Sequence, residues 1–185
     1  MSHELISDTA ILQLGDPRLR QIAVAVEAVN DPRVQADGQR VLQALQAFRA
    51  EHGFGRATAA PQLGIQRRMI ALCLPDWPAL LINPEIVWSS DTTVTLWDDC
   101  MCFPSLLVRV QRAASISVRF LDQYGTRYER NELDTATAEL LQHEIDHLDG
   151  VLAVDRAIGP EPLVSRTTFE QQRAYFLEQV DFVPA

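Results

Sequence analysis

The chain has 185 residues, 47% of them hydrophobic, and this size and composition fit one soluble globular domain with its own core. Its formal net charge of −9 argues against a general nucleic-acid binder or a binder of anionic membranes, because neither surface would attract it. No stretch is apolar over the length of a membrane-spanning helix, so we predict no membrane segment.

The N-terminal residues and the cysteines favour a cytoplasmic protein. Met1 to Asp8 lacks the basic start and the apolar run of a secretory signal. Three cysteines cannot all pair with one another, and Cys100 and Cys102 are almost adjacent. A disulfide scaffold is therefore not expected, and a reducing compartment is.

Helical periodicity and strand-like runs alternate along the chain. Apolar residues at helical spacing predict a first long helix from Asp31 to Gly53. Short apolar or alternating runs from Met69 to about Tyr128 predict several strands. A helix follows from about Thr135 to Asp149, and a last one is expected from Thr167 to Gln179. We therefore predict one α+β domain over residues 1–185, with antiparallel sheets packed around the central second helix and with N-terminal and C-terminal helices.

The sharpest local pattern is the H-E-x-x-H sequence from His143 to His147, which lies on the predicted central helix. Residues four apart on a helix share one face, so the imidazoles of His143 and His147 can reach a single ion. Glu144 lies beside that face and can take a proton from a metal-bound water. The pattern predicts a metal site, although two ordinary histidines of a core or surface helix would produce the same letters.

The helix alone leaves the third metal ligand open. One type of zinc peptidase continues as H-E-x-x-H-x-x-G-x-x-H, and this chain follows it to Gly150 but has Ala153 in place of the third His. Another type uses a downstream carboxylate, for which Glu161 and Glu170 are available. Upstream, Cys100 offers a thiolate, which is a strong ligand for a divalent transition metal.

Three segments of the chain, in order, resemble the motifs of the peptide deformylases. Gly55 to Gln62 (GRATAAPQ) resembles the first motif, G-x-G-(apolar)-A-A-x-Q. Asp98 to Cys102 (DDCMC) matches part of the second, E-G-C-(apolar)-S, and Gln142 to His147 (QHEIDH) matches all of the third, Q-H-E-x-D-H. Three motifs in the family's order are far more specific than one, and the resemblance covers most of the chain.

The resemblance implies a hydrolase that removes the N-formyl group from the starting methionine of new proteins. Cys100, His143 and His147 would hold one divalent ion and leave a position for water, with Glu144 as the acid–base group. Ferrous iron is the first expectation for the metal, with nickel or zinc also accepted, because this donor set suits all three. The implied partners are N-formylated peptides and, transiently, the ribosome.

The resemblance also implies how the substrate is held. The Gln62 side chain and the backbone N–H of Met101 would stabilise the negative charge that develops on the formyl oxygen. The peptide would pair with the strand of the first motif, with Gly55 and Ala57 on its edge. Leu140, on the central helix, is expected to join the substrate-binding residues.

Several residues near the expected substrate depart from the family pattern. Ala57 replaces a glycine and Thr58 an apolar residue of the first motif. Arg56 and Glu139 stand where apolar residues of the methionine pocket are expected, and a pair between them would make that pocket polar. Three alternatives therefore stay open: a deformylase for another N-formyl compound, a zinc metallopeptidase, and a degenerate member that only binds a partner.

The second motif has departures of its own. Asp98 replaces its glutamate and is expected to pair with Arg112. Cys102 replaces its serine and is expected near Cys100, because residues two apart in an extended segment share a face. We interpret Cys102 as a small buried spectator thiol, with an oxidation-prone thiol or an extra ligand as the other interpretations.

Overall fold

The computed structural model describes residues 10–184, and Met1 to Asp8, where no secretory signal is expected, lie outside them. Within the described range, the helices are α1 (Pro32–His52), α2 (Thr135–Leu148), α3 (Arg166–Gln171) and α4 (Arg173–Leu177). None of these helices has both the length and the apolar character needed to cross a membrane.

The first helix, α1, has a capping residue at each end, Asp31 at its start and Gly53 at its end. The Asp31 carboxylate accepts a hydrogen bond from the N–H of Arg33 at 2.7 Å and caps the first turn. Gly53, with a φ of 75°, ends the helix in the left-handed conformation that glycine adopts without strain. The buried face of α1, which includes Val41 and Leu45, packs on the sheet below it.

The strands within residues 10–184 form two antiparallel sheets. In chain order they are β1 (Ala57–Ala59), β2 (Met69–Leu72), β3 (Leu80–Ser89), β4 (Thr93–Asp99), β5 (Leu106–Ala113), β6 (Ile116–Leu121), β7 (Arg127–Arg130) and β8 (Leu163–Ser165). The larger sheet has the spatial order β1-β2-β3-β6-β7, and the smaller one has the order β4-β5-β8. The predicted α+β class is confirmed, and β1 lies at an edge of the larger sheet.

The second helix, α2, packs on the larger sheet and also contacts β5 of the smaller one. The Asp134 carboxylate caps its start by accepting a hydrogen bond from the N–H of Thr137 at 3.0 Å. Its residues Ala138, Leu141 and Leu148 are fully buried against the larger sheet. Because α2 touches both sheets, side chains on its remaining face point toward the segment that follows β4.

The single C-terminal helix predicted from Thr167 to Gln179 is wrong, because the chain there forms two short helices. Gln172, with a φ of −124° and a ψ of 33°, breaks the helix between α3 and α4. Residues seven apart in a continuous helix are separated by about 10 Å along the axis. The break instead brings the rings of Phe169 and Phe176 to 5.6 Å, where both pack against Trp97.

Candidate active site

Three side chains that can bind a metal converge where α2 meets the end of β4. His143 and His147 lie one turn apart on α2, and their Nε2 atoms are 3.2 Å apart. Cys100 directly follows β4, and its Sγ lies 3.3 Å from Nε2 of His147. All three side chains are buried, whereas Glu161 and Glu170 are exposed. The fold therefore brings the thiol, not a downstream carboxylate, to the two histidines.

The donor atoms have the spacing that a bound ion requires. With metal–nitrogen bonds of about 2.0 Å and metal–sulfur bonds of about 2.3 Å, neighbouring donors of a tetrahedral site lie about 3.3–3.6 Å apart. The separations of 3.2 Å and 3.3 Å agree with this spacing. Within residues 10–184, Oε2 of Glu144 and Nδ1 of His147 are buried without a hydrogen-bond partner. The arrangement fits a divalent transition metal with a carboxylate beside it.

Cys102 lies beside two of these donors, Cys100 and His147. Its Sγ, the Sγ of Cys100 and a ring nitrogen of His147 are all within 4.8 Å of one another. The expected proximity of Cys102 to Cys100 is confirmed, but an extended backbone is not its cause. The backbone turns after Cys100. The N–H of Phe103 donates to the carbonyl of Cys100 at 3.0 Å, and the N–H of Cys102 donates to the Sγ of Cys100 at 3.4 Å.

A network of charged side chains contacts His143 on the ring nitrogen that faces away from His147. Oδ2 of Asp98 lies 3.0 Å from Nδ1 of His143 and accepts a hydrogen bond from Nη2 of Arg112 at 2.9 Å, which confirms the predicted pairing of Asp98 with Arg112. Nη1 of Arg112 donates to Asp146 at 2.9 Å, and Asp146 also pairs with Arg156. Sequence reasoning did not single out Asp146, whose only signal is its place between the two histidines in the third motif.

Burial and the neighbouring charges shift the pKa values of Asp98 and the two histidines. Burial opposes ionisation of the Asp98 carboxyl, but His143 and Arg112 outweigh it and hold its pKa well below the usual range. Burial likewise lowers the pKa of His143, but the charge and hydrogen bond of Asp98 raise it to about 9. Burial lowers the pKa of His147 well below its ordinary value.

Glu144 is poised to exchange protons near neutral pH. Its side chain is buried, and this burial raises its pKa to about 7, with His143 opposing the effect. A carboxylate with a pKa near the working pH is the best placed to accept a proton and return it later. Glu144 is thus buried beside the donor atoms and has a pKa near neutrality.

Gln62 is held so that its amide N–H faces the sulfur atoms. Oε1 of Gln62 accepts a hydrogen bond from the N–H of Ala59 at 2.7 Å, which fixes the orientation of the amide. Nε2 then points toward Sγ of Cys100 at 3.7 Å and Sγ of Cys102 at 3.6 Å. The side chain therefore both holds the turn after β1 and presents a donor to the site.

One cavity of about 260 Å³ contains the residues predicted from the sequence. Its lining includes the expected substrate-binding residues, which are Gly55, Arg56, Ala57, Glu139 and Leu140. It also includes most of the expected chemical groups, which are Gln62, Cys100, Met101, His143 and Glu144. His147 is not among the lining residues and lies behind Cys100 and His143.

Arg56 and Glu139 form an ion pair in the wall of this cavity. Nη2 of Arg56 donates to Oε1 of Glu139, and Nη1 donates to the carbonyl of Ala136 at 3.1 Å. Glu139 is only 2% exposed, and its burial raises its pKa while Arg56 opposes this. The two side chains therefore pair with each other, as the polar-pocket expectation required. The cavity has a polar wall where the family pattern leads us to expect an apolar one.

The open edge of β1 borders the cavity. The carbonyl of Arg56 accepts a hydrogen bond from the N–H of Cys73 at 2.8 Å, on the side of β2. Backbone groups alternate sides along a strand, so those of Ala57 face the opposite edge. The carbonyl of Gly55 is already engaged by Nη1 of Arg49 at 2.5 Å. Ala57 is thus the residue of β1 whose backbone is available to an incoming peptide.

Comparison with known proteins agrees with the geometry. The family model described as polypeptide deformylase matches residues 9–162. A peptide deformylase of Prochlorococcus marinus is 37% identical over 155 residues, which cover 81% of this chain and 73% of that protein. The crystal structure of a peptide deformylase from Legionella pneumophila is similar, with a TM-score of 0.72, 31% identity, and coverage of 92% of this chain and 95% of that one. The crystal structure of the Thermotoga maritima enzyme has a TM-score of 0.71 and 33% identity, and covers 81% of this chain and 97% of that one.

Proposed function

Because the chain belongs to the peptide deformylase family, hydrolases that remove the formyl group from N-formylmethionyl peptides, we propose how its own residues perform this reaction. Cys100, His143 and His147 hold the metal ion, and Glu144 is the acid–base group. The observation that carries this assignment is that Nε2 of His147 lies 3.2 Å from Nε2 of His143 and 3.3 Å from Sγ of Cys100, beside the buried carboxylate of Glu144.

The side chains divide the chemistry between proton transfer and charge stabilisation. When bound, a divalent ion supplies Lewis acidity and makes water a stronger nucleophile near neutral pH. Glu144 takes the proton of the attacking water and delivers it to the leaving amine. Nε2 of Gln62 and the backbone N–H of Met101 donate to the formyl oxygen as it gains negative charge. Oε1 of Gln62, held by the N–H of Ala59, keeps this amide in the donating orientation.

The peptide is held along β1 by strand addition. The backbone of Ala57 faces the open edge and lies beside the cavity that contains the donors. Gly55, Arg56, Glu139 and Leu140 then surround the first side chain of the peptide. In this arrangement, the formyl group would lie beside Glu144 and the residues that would hold the ion, while the remainder of the substrate extends along the strand.

The remaining features of the proposal follow from the donors and the family. The metal in the cell is ferrous iron, with nickel or zinc as substitutes, since two imidazoles and a thiolate accept all three. Residues 1–185 act as a single catalytic domain in the cytoplasm. The substrates are the N-formylated ends of new chains, which the protein meets through transient association with the ribosome.

A second candidate substrate is another N-formyl compound, and the Arg56–Glu139 pair favours it. A partly buried ion pair in the cavity wall suits a polar or short first side chain better than the thioether of methionine. Turnover of a formyl-methionyl peptide with the efficiency of ordinary family members would exclude this second candidate. The most direct assay uses anaerobically purified protein with its metal content measured.

Two substitutions test the assignment of the chemical groups. We expect Glu144→Gln to keep the metal but to lower kcat by about 10²–10⁴-fold, the range that general acid–base groups contribute. We expect Cys100→Ser to lose most of the metal along with the activity. Cys73→Ser is a matched control, because Cys73 is exposed and lies outside the cavity. Full activity in Glu144→Gln, or full metal content in Cys100→Ser, would contradict the assignment.

A further inference from the structure

We propose that the C-terminal segment, residues 166–184, forms a second subsite of the cavity, which binds the second and third residues of a formylated peptide and selects apolar side chains there. The inference rests on the proposed function, because it takes a formylated peptide as the occupant of the cavity. It goes beyond that function, since residues 163–185 follow the part of the chain that matches the family model. The segment gives this chain a preference beyond the first residue of its substrate.

The first support is the continuity of the cavity. The same cavity that Glu144 and His143 line extends along the C-terminal segment. The apolar residues of this part of its wall are Trp97, Leu107, Phe169, Leu177 and Val180. Leu177 and Val180 keep part of their surface exposed within it. An apolar side chain that covers this surface gains from its removal from water.

The second support is the way in which the segment is held. Nε1 of Trp97 donates a hydrogen bond to the carbonyl of Phe176 at 2.8 Å. The N–H of Thr95 donates to Oδ1 of Asp181 at 2.6 Å, and the N–H of Phe182 donates to the carbonyl of Thr95 at 3.1 Å. These bonds tie the segment to β4. The wall is therefore formed before a peptide binds, which lowers the entropy cost of binding.

The third support is the direction of the peptide. The proposed function places its formyl end at Gln62, after β1, so the following residues run back along β1 past Ala57 toward Phe54. An extended chain rises about 3.3 Å per residue, so the second and third residues lie about 3–7 Å beyond the first. Phe54 lines the cavity, and the guanidinium of Arg166 lies 5.5 Å from the centroid of its ring. The C-terminal segment thus begins where these residues arrive.

The charged groups of this wall already have partners in the protein. Nη2 of Arg166 donates to Oδ2 of Asp99 at 2.6 Å. Nη1 of Arg173 lies 3.5 Å from Oε1 of Glu170, and its guanidinium lies 5.7 Å from the centroid of the Phe169 ring. A charged peptide side chain must compete with these partners, whereas an apolar one displaces only water. The wall therefore favours apolar side chains.

The test compares two formylated tripeptides that both begin with methionine, one continuing with leucine and phenylalanine and the other with two alanines. Their backbones are identical, so strand addition contributes equally to both. We expect the metal-loaded wild type to show a KM about 10-fold lower for the apolar tripeptide, with a similar kcat. Calorimetric titration of Glu144→Gln measures binding without rapid hydrolysis and should show the same preference.

Two variants on α4 locate the source of this preference. Leu177→Ser removes an apolar side chain from the cavity wall and should reduce the 10-fold preference to about 2-fold. Tyr175→Ala is the matched control, because Tyr175 lies on the same helix, is 57% exposed and is not among the lining residues. It should keep the full preference.

The outcomes separate this inference from the proposed function. If the wild type turns over both tripeptides with equal KM values, the proposed function stands and the second subsite does not exist. If Leu177→Ser keeps the full preference, the C-terminal segment is not its source and the inference is wrong. If the wild type turns over neither tripeptide, the proposed function fails. The wild-type comparison needs no variant, so it decides the matter even if Leu177→Ser does not fold.

Discussion

Asp98 joins the proposed metal centre to the interior of the protein. Its Oδ2 lies 3.0 Å from Nδ1 of His143 and 2.9 Å from Nη2 of Arg112, so one carboxylate serves both groups. Because Nδ1 of His143 is held in this way, its Nε2 is the nitrogen that faces His147. A carboxylate behind a ligating imidazole fixes the ring and makes it a stronger donor.

This arrangement makes Asp98 a positioning residue, and substitution should reveal that role. We expect Asp98→Asn to weaken zinc affinity by about 10–100-fold, because the imidazole loses both its orientation and its charged partner. Chelator competition measures the change. Asp99→Asn is the matched control, since the neighbouring Asp99 pairs with Arg166 at the surface instead. Equal losses in the two variants would contradict the positioning role.

The residues of the site differ in how far sequence can predict them. His143, Glu144 and His147 follow from spacing, because a helix of any origin places them on adjoining positions. Cys100 needed the resemblance to a family, since nothing local says which distant residue meets the helix. The proximity of Cys102 to Cys100 is predicted for the wrong reason, because the turn after Cys100 depends on the packing of Phe103 and on backbone hydrogen bonds.

At the scale of elements, the central helix depends on its cap. The Asp134 carboxylate accepts hydrogen bonds from the N–H and the hydroxyl of Thr137, at 3.0 Å and 2.9 Å. The little burial that Asp134 has raises its pKa, but these hydrogen bonds outweigh it and hold the pKa below the ordinary 3.8. The carboxylate form is therefore the one that stabilises α2. Its contribution is present above about pH 3.8 and is lost as the pH falls through the lowered pKa.

Removal of this cap gives a stability prediction with a defined pH dependence. We expect Asp134→Ala to lower the free energy of unfolding by about 1 kcal/mol at neutral pH. The difference from the wild type should shrink in acid, because the protonated cap accepts hydrogen bonds more weakly. Denaturant unfolding of the metal-free protein, at neutral pH and again in acid below the ordinary pKa of 3.8, measures this difference. Asp91→Ala, at an exposed loop position, should stay within about 0.5 kcal/mol of the wild type.

The two long helices could be predicted from the sequence, whereas the strand order could not, for a physical reason. The caps and periodicity that define α1 and α2 lie within each segment, so Asp31, Gly53 and Asp134 mark their ends locally. The position of β1 at a sheet edge depends on pairing with β2, and a three-residue strand has no period to detect. The break at Gln172 depends on packing around Trp97, which no local pattern contains.

At the scale of the whole molecule, the proposed metal centre links the two sheets. Cys100 follows β4 of the smaller sheet, whereas His143 and His147 lie on α2, which packs on the larger one. An ion shared by these residues binds the folded protein and not the unfolded chain, where the donors are far apart in space. Binding of this kind adds directly to the stability of the fold.

Metal removal should therefore lower the melting temperature of the whole protein. At a free zinc concentration about 1,000 times Kd, the ion adds about 4 kcal/mol to the free energy of unfolding. For a chain of 185 residues this corresponds to a shift in Tm of roughly 10 °C. Calorimetry with and without a chelator measures the shift in the wild type and in Cys100→Ser. Because Cys100→Ser lacks a thiolate donor, chelation should barely change its Tm; an equal shift in both proteins would show that the ion binds elsewhere.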